Sequence, residues 1–389
     1  MEFIPYALPM IGKEEIAEVV DTLESGWLTT GKKTKDFETQ FADYIGAEFA
    51  LAVNSATAGL HLALEALGVG PGDKVITTVH TFTATAEVIR YLGADPVFVD
   101  IEGDSFNIDV DEVESAIEAH ENVKVIIPVH YAGQAANIDR LMGIAKKHGI
   151  KILEDAAHAL PATHNSKKVG TMGDITVFSF YANKTITTGE GGMIVTNNAE
   201  YRDRMSCMRL HGISRDVFDR FTSKKPSWHY NVVAPGYKYN LTDIASSIGM
   251  HQLKKADILK ARREAIAQAY NEGFAGLPLK TPYLVNPEDV HSWHLYVVQL
   301  DLDSLTISRD RFIELMAESG IGTSVHYIPL HRHPYWKENY KLDARCFPKS
   351  EYAYNRIVSL PNYPKMSDEQ VERVIKTVRS ILVENMKGG

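Results

Sequence analysis

Short runs of β-branched and aliphatic residues recur through the first two-thirds of the chain, separated by longer stretches with helical spacing. Phe49–Val53 reads as a strand, followed by a helix carrying Leu60, Leu62, Leu64 and Leu67. The pairing repeats at 75–79 and 86–92, at 97–101 and 113–117, and at 123–129 and 138–147. Runs at 150–153, 175–180 and 193–195 close the series, the last two joined by a short connection. Strands that alternate with helices imply right-handed crossovers and an α/β fold, a mostly parallel central sheet with helices on both faces. Ligands in such sheets sit at the carboxyl ends of the strands, so chemistry is to be sought there.

The pattern changes after Met250. Residues 251–275 form a long, charged, helix-compatible stretch without proline. It reads as a connector from a large unit, 1–250, into a smaller C-terminal α+β unit, 251–389. In the smaller unit 294–300 and 322–327 read as strands, and 309–318 and 368–384 as helices. Two or three folding units suit the length of 389 residues.

Composition narrows the class. Hydrophobic residues make up 44% and charged residues 23%, which excludes disorder and fits a soluble globular enzyme. The net charge of −9 repels a phosphate backbone and argues against nucleic acid as a partner. Cys207 and Cys346 lie far apart, which fits a reducing compartment and excludes a disulfide framework or a cysteine-only zinc site. Glu2, Pro5 and Pro9 interrupt the first apolar stretch, and no apolar run approaches the ~18 residues of a membrane helix. The expectation is a cytoplasmic protein with no signal peptide and no membrane partner.

Three strand ends carry candidate chemistry. After Val53 comes Asn54-Ser55-Ala56-Thr57-Ala58-Gly59, where small and hydroxyl residues leave backbone N–H groups exposed at a helix N-terminus. That is an anion site, most naturally for phosphate, although an ordinary N-cap needs the same residues. The strand from Ile150 ends in Glu154-Asp155-Ala156-Ala157-His158. A carboxylate there is costly to bury without a partner, and a protonated pyridine nitrogen is one such partner. A helix-capping aspartate, or a metal ligand with His158, is an open alternative. The strand 175–180 runs into Tyr181-Ala182-Asn183-Lys184 and then Gly189-Glu190-Gly191-Gly192. A desolvated Lys184 becomes a nucleophilic amine able to form a Schiff base, and the glycines let the backbone pass close to something. A phosphate cradle, a carboxylate for a ring nitrogen and a Schiff-base lysine are together the parts that hold pyridoxal phosphate.

With these motifs in hand, the chain resembles the nucleotide-sugar aminotransferases, the DegT-type branch of the aspartate-aminotransferase fold, over essentially its whole length. The resemblance rests also on Ser25-Gly26-Trp27-Leu28-Thr29-Thr30-Gly31, His130-Tyr131-Ala132-Gly133, Gly236 to Asp243, and His291-Ser292-Trp293-His294-Leu295. Several of these pieces look closest to the enzyme that aminates the UDP-linked 4-keto pentose of lipid A modification, and enzymes making UDP-4-amino-4,6-dideoxy-N-acetylglucosamine are similar too.

The resemblance implies the fold type I of the pyridoxal-phosphate enzymes, with the pyridoxamine phosphate form as intermediate. It implies Lys184 as the Schiff-base lysine and Asp155 as partner of the pyridinium nitrogen. Phe82 would stack on the ring, and Ser55, Ala56, Thr57 and Ser179 would hold the phosphate. His158 stands where many relatives carry Gln, near the ring hydroxyl. Asn240 would reach the phosphate of a neighbouring subunit, so a homodimer with shared sites is expected. Trp27, Thr30, His326 and Tyr327 would wall the sugar nucleotide. The implied reaction moves an amino group from glutamate, leaving 2-oxoglutarate, to the C4 keto group of a UDP-linked sugar used in lipopolysaccharide or another cell-surface glycan.

Other residues admit two readings. Lys32, Lys33, Lys224 and Lys225 are candidates for steering a diphosphate, or are solvated charges. A pyridoxal-phosphate sugar dehydratase would carry His in place of Lys184, and a regulator of the same fold would lose turnover. A metal hydrolase using His158, His331 and His333 would leave Lys184 and the phosphate cradle unexplained.

Overall fold

A computed structural model describes residues 2–213 and 230–387; Lys224 and Lys225 lie outside the described residues. Among the described residues, seven strands make the main sheet. They are β1 (Phe49–Val53), β2 (Lys74–Thr78), β3 (Asp95–Val99), β4 (Val123–Ile127) and β5 (Lys151–Asp155), then, after the small hairpin β6 (Thr163–His164) and β7 (Lys167–Lys168), β8 (Ile175–Ser179) and β9 (Gly192–Thr196). Their order is β1-β9-β8-β5-β4-β2-β3. Only β9 runs against its neighbours β1 and β8. The connection 180–191 contains no helix to carry a crossover, so the chain returns antiparallel.

Both faces of the sheet are buried, which is why the strands read as near-continuous apolar runs. Ile175 and Val177 of β8, with Val125 and Ile127 of β4, enter one core beneath the helix Ala56–Ala66. Phe178 faces the opposite core with Phe37 and Phe41 of the helix Lys32–Ile45. Ile126 does the same beneath the helix Ile138–His148.

A second, antiparallel sheet has the order β10 (Leu279–Lys280), β11 (Tyr296–Leu300) and β12 (Ile357–Leu360). It packs with the helices Arg309–Glu318 and Asp368–Glu384 around Tyr296, Phe312, Val374, Val378 and Leu382. Ile4, from the N-terminal segment, joins this core and bridges Ile321. Among the described residues no helix is long and apolar enough to cross a membrane.

Two expected elements differ. The connector is two helices, Asp243–Lys254 and Ala256–Gly273, that part at Lys255. The break lets Met250 and Leu253 stay against the main sheet while Ile266 and Tyr270 reach the second core. Residues 322–327 form no strand; a single bridge pairs Ser324 with Ser359. Beyond it the carbonyl of His326 accepts the Tyr131 hydroxyl and His326 Nδ1 bonds the Ser359 hydroxyl at 2.8 Å, so this backbone leaves the ladder.

Glu154 ties the sheet together from inside. It is fully buried and accepts hydrogen bonds from His130 Nε2, the Gly173 amide and the Thr176 hydroxyl, each at 2.8 Å. Burial pushes its pKa up, but these donors outweigh burial and hold it below the usual carboxylate range. The stability it adds is therefore present above the unfolded-state pKa and is lost as pH falls through the lowered folded-state value. Glu154→Ala orphans His130 inside the protein, and we expect a loss of about 3–5 kcal/mol, read as a lower thermal midpoint. An unchanged midpoint contradicts this role.

Candidate active site

The carboxyl ends of β1, β2, β5 and β8 open into one cavity of about 460 Å³. Its walls include Ser55, Ala56, Thr57, Phe82, Asp155, His158, Ser179, Lys184, His294, His326 and Tyr327. Ten of the thirteen residues expected from sequence are thus brought together. Trp27, Thr30 and Asn240 are not among the walls; they cluster with one another elsewhere. Asn240 Nδ2 donates to the Thr30 hydroxyl at 2.6 Å, and Trp27 Nε1 to the Thr30 carbonyl at 3.2 Å.

At one end Ser55 caps the helix Ala56–Ala66, its hydroxyl accepting the Ala58 amide at 3.1 Å. The amides of Ala56 and Thr57 lie in the first turn and have no acceptor within the helix, so they face the cavity mouth with the helix dipole behind them. Gly192 makes this approach possible. A Cβ there would stand 2.8 Å from the Ala56 nitrogen and the Phe178 oxygen, too close for any side chain. The glycines therefore serve backbone packing around the cradle. Gly189, at φ +82°, makes the turn before it.

Asp155 ends β5 and is 5% exposed. Its Oδ2 accepts the Thr85 hydroxyl at 2.8 Å and its Oδ1 the Ala157 amide at 3.1 Å. Burial outweighs these donors and the charge of Lys184 and pushes its pKa up, so the carboxylate would gain from the cation that a ring N–H⁺ provides. Lys184 is enclosed as well. Burial brings its amine down to about 8, against the pull of Asp155 and with the help of Arg263. The nearest hydrogen-bonding neighbour of Nζ is His294 Nε2, at 3.5 Å.

His158 turns its Nδ1 to the Ala132 amide at 3.3 Å. That leaves the proton on Nε2, which meets the Tyr327 hydroxyl at 2.9 Å. Burial, with Lys184 and His326 adding, holds His158 neutral. Phe82, 59% exposed, stands over the mouth with its ring 6.0 Å from that of Tyr327. The residues present fit pyridoxal phosphate. They offer N–H donors for a phosphate, a buried carboxylate in need of a cation, and a desolvated amine for an aldehyde.

Sequence reasoning missed Thr85 and Arg263, and it gave Tyr131, part of a quoted motif, no role. Arg263 left a trace, since it lies on the apolar face Leu259, Ile266, Ala267 and Tyr270 of its helix, where a cation needs a reason. The histidines of the metal alternative are apart in function: His331 bonds Glu351 and stacks on Phe347, and His158 bonds Tyr327. Among the described residues no group of three or more His, Cys, Asp or Glu side chains is arranged to hold a metal ion.

The profile of the DegT/DnrJ/EryC1/StrS aminotransferase family matches residues 9–379. The chain belongs to that family. SpsC of Bacillus subtilis, a spore coat polysaccharide biosynthesis protein, is 47% identical over 382 residues, covering 98% of this chain and 97% of SpsC. Among solved structures, Spr1654 of Streptococcus pneumoniae in its PMP form superposes with a TM-score of 0.91 at 38% identity, covering 98% of this chain and 99% of that one. PseC of Helicobacter pylori, an aminotransferase involved in pseudoaminic acid biosynthesis, superposes at 0.89 with 32% identity, covering 98% and 100%. The fold of this chain is the aminotransferase fold of these neighbours.

The lysine environment has a direct consequence. The unfolded chain holds the Lys184 proton up to ~10.4 while the folded protein releases it near 8. Between these values the unfolded state binds more protons, so this group makes the folded state more stable as pH rises through the window. In cofactor-free protein, competitive acetylation followed by mass spectrometry should show Lys184 becoming reactive with a midpoint near pH 8. A midpoint at the ordinary lysine value overturns the buried-amine account.

Proposed function

We propose that this chain is a pyridoxal-phosphate-dependent sugar aminotransferase that takes the amino group of glutamate to the C4 keto group of a UDP-linked 4-keto sugar. The product is a 4-amino sugar for a cell-surface glycan, and the working form is a homodimer with shared sites. The observation that carries the reading is the convergence of Lys184, Asp155 and the Ser55 helix N-terminus on one cavity. Family membership supports aminotransfer, and the solved PLP and PMP forms of Spr1654 support the cofactor. The names of SpsC and PseC support a sugar as amino acceptor. The C4 position, the UDP group and glutamate rest on the sequence resemblance.

Bound pyridoxal phosphate supplies an electron sink and carries the amino group between two substrates. The chain's residues do the rest. Ser55, Ala56, Thr57 and Ser179 bind the phosphate, and Asp155 binds the ring N–H⁺. Phe82 covers the ring face, while Tyr327 and His158 form a hydrogen-bonded wall beside it. Lys184 holds the cofactor at rest. When its amine is free, Lys184 Nζ would accept the proton of the donor's α-carbon and, in the second half of the reaction, would return a proton to the corresponding carbon of the acceptor. An amine near 8 is suited to this, since it loses and regains a proton close to neutral pH.

The two substrates use the cavity in turn, so the kinetics are ping-pong. His326 and Tyr327 face the sugar. Trp27, Thr30 and Asn240 sit away from the cavity of their own chain, which supports their serving a partner's site. The division into a cofactor-holding unit, 1–250, and a smaller unit, 251–389, belongs to the same proposal.

Adding glutamate to cofactor-loaded protein should convert the visible absorbance of bound pyridoxal phosphate into the near-ultraviolet absorbance of its pyridoxamine form. A 4-keto UDP-sugar should then reverse the change. Lys184→Ala should slow the conversion by at least about 10²-fold, the usual worth of a positioned general base. Absorbance indifferent to glutamate contradicts the donor assignment. Reversal by a 3-keto but not a 4-keto sugar nucleotide contradicts the acceptor.

A further inference from the structure

Lys184 is the residue on which the proposed function turns, yet the side chain within hydrogen-bond distance of its amine has no assigned part. His294 sits at the start of the segment leading into β11, 5% exposed, with Nε2 3.5 Å from Lys184 Nζ. Its other nitrogen, Nδ1, is buried and has no hydrogen-bond partner among the described residues. The backbone that carries the ring is held on both sides of its Cα. Arg263 Nη1 donates to the His294 carbonyl at 3.2 Å, and the carbonyl of Trp293 accepts Asn362 Nδ2 at 3.2 Å. On one side the ring packs against His158, centroid to centroid 4.5 Å.

We propose that His294 is a positioning residue for Lys184, its imidazole Nε2 hydrogen-bonding the lysine amine in both of that amine's proton states. The chemistry follows from the two tautomers. With the proton on Nδ1, Nε2 accepts from the ammonium; with the proton on Nε2, it donates to the lone pair of the neutral amine. An orphaned Nδ1 is what permits this, because no partner fixes the tautomer as the Ala132 amide fixes that of His158.

The surrounding groups keep the ring neutral. Burial acts first, then Lys184, His158, Arg263 and His326, which together hold His294 far below the ordinary histidine range. Lys184 in turn faces Asp155 and Arg263 besides His294. The inference rests on Lys184 being the reacting amine.

Three variants test it, His294→Leu, His294→Gln and His294→Asn, with thermal melting as a check on folding. The first readout is competitive acetylation of Lys184 in cofactor-free protein between about pH 6 and 10. A hydrogen bond from an ammonium is stronger than one to a neutral amine, so losing it lowers the Lys184 midpoint in His294→Leu by about half a unit or more. His294→Gln, whose amide can accept or donate, should restore the midpoint. His294→Asn has the same groups on a shorter arm and should behave like Leu, which keeps the comparison available if Leu does not fold.

In cofactor-loaded protein, the rate of the glutamate half-reaction should fall about tenfold in Leu or Asn with the glutamate KM unchanged. A midpoint that stays at the wild-type value in Leu or Asn overturns the proposal, as does equal impairment in Gln. Failure of loaded protein to respond to any amino donor would instead count against the proposed function, since the acetylation readout needs no reaction.

Discussion

A lysine amine and an aspartate carboxylate buried in one cavity set the terms for the rest of this structure. Each is unfavourable to bury in its charged form, and although the two attract each other, burial outweighs that attraction at both. The fold supplies this by placing both at the carboxyl ends of adjacent strands: Asp155 on β5, Lys184 in the connection after β8. The result is a site that gains when a positively charged ring nitrogen and an electrophilic carbonyl enter together. Their offset of the burial cost is available only to a ligand that has both.

The neighbouring elements hold that pair in place. Glu154, one residue before Asp155, points into the sheet and binds His130, Gly173 and Thr176, so the end of β5 is anchored from below. Arg263 reaches the carbonyls of His294 and Asn362, and Asn183 lies beside it at 3.5 Å. One guanidinium thus joins the lysine segment to the entry of β11 and the exit of β12, which lie at the same end of the second sheet. Asp243 plays a similar part away from the cavity. It accepts the amides of Gly31 and Thr34 at the start of the helix Lys32–Ile45, which explains the aspartate that ends the motif from Gly236.

Much of this is legible in the sequence because it depends on local order. The parallel strands are buried on both faces, so their residues are continuously apolar, and each strand end is marked by the first polar residues that follow. Ser55, Asp155 and Lys184 announce themselves in that way. What is not legible depends on contacts across the chain. His294 follows an ordinary strand approach, and its importance comes from Lys184, 110 residues away. The segment 322–327 has strand-like composition, yet its backbone is claimed by Tyr131 and Ser359 from other elements. The break at Lys255 reflects two separate cores drawing on one helical stretch. Trp27, Thr30 and Asn240 follow the family pattern in sequence but stand outside their own chain's cavity, a matter that only the assembly decides.

The central claim is that Lys184, among the 25 lysines of the sequence, is the one amine that joins the cofactor. Borohydride reduction of pyridoxal-phosphate-loaded protein, followed by peptide mass spectrometry, tests it most directly. The account requires a single phosphopyridoxyl adduct on the peptide that contains Lys184. An adduct confined to another lysine, or none with cofactor bound, contradicts it.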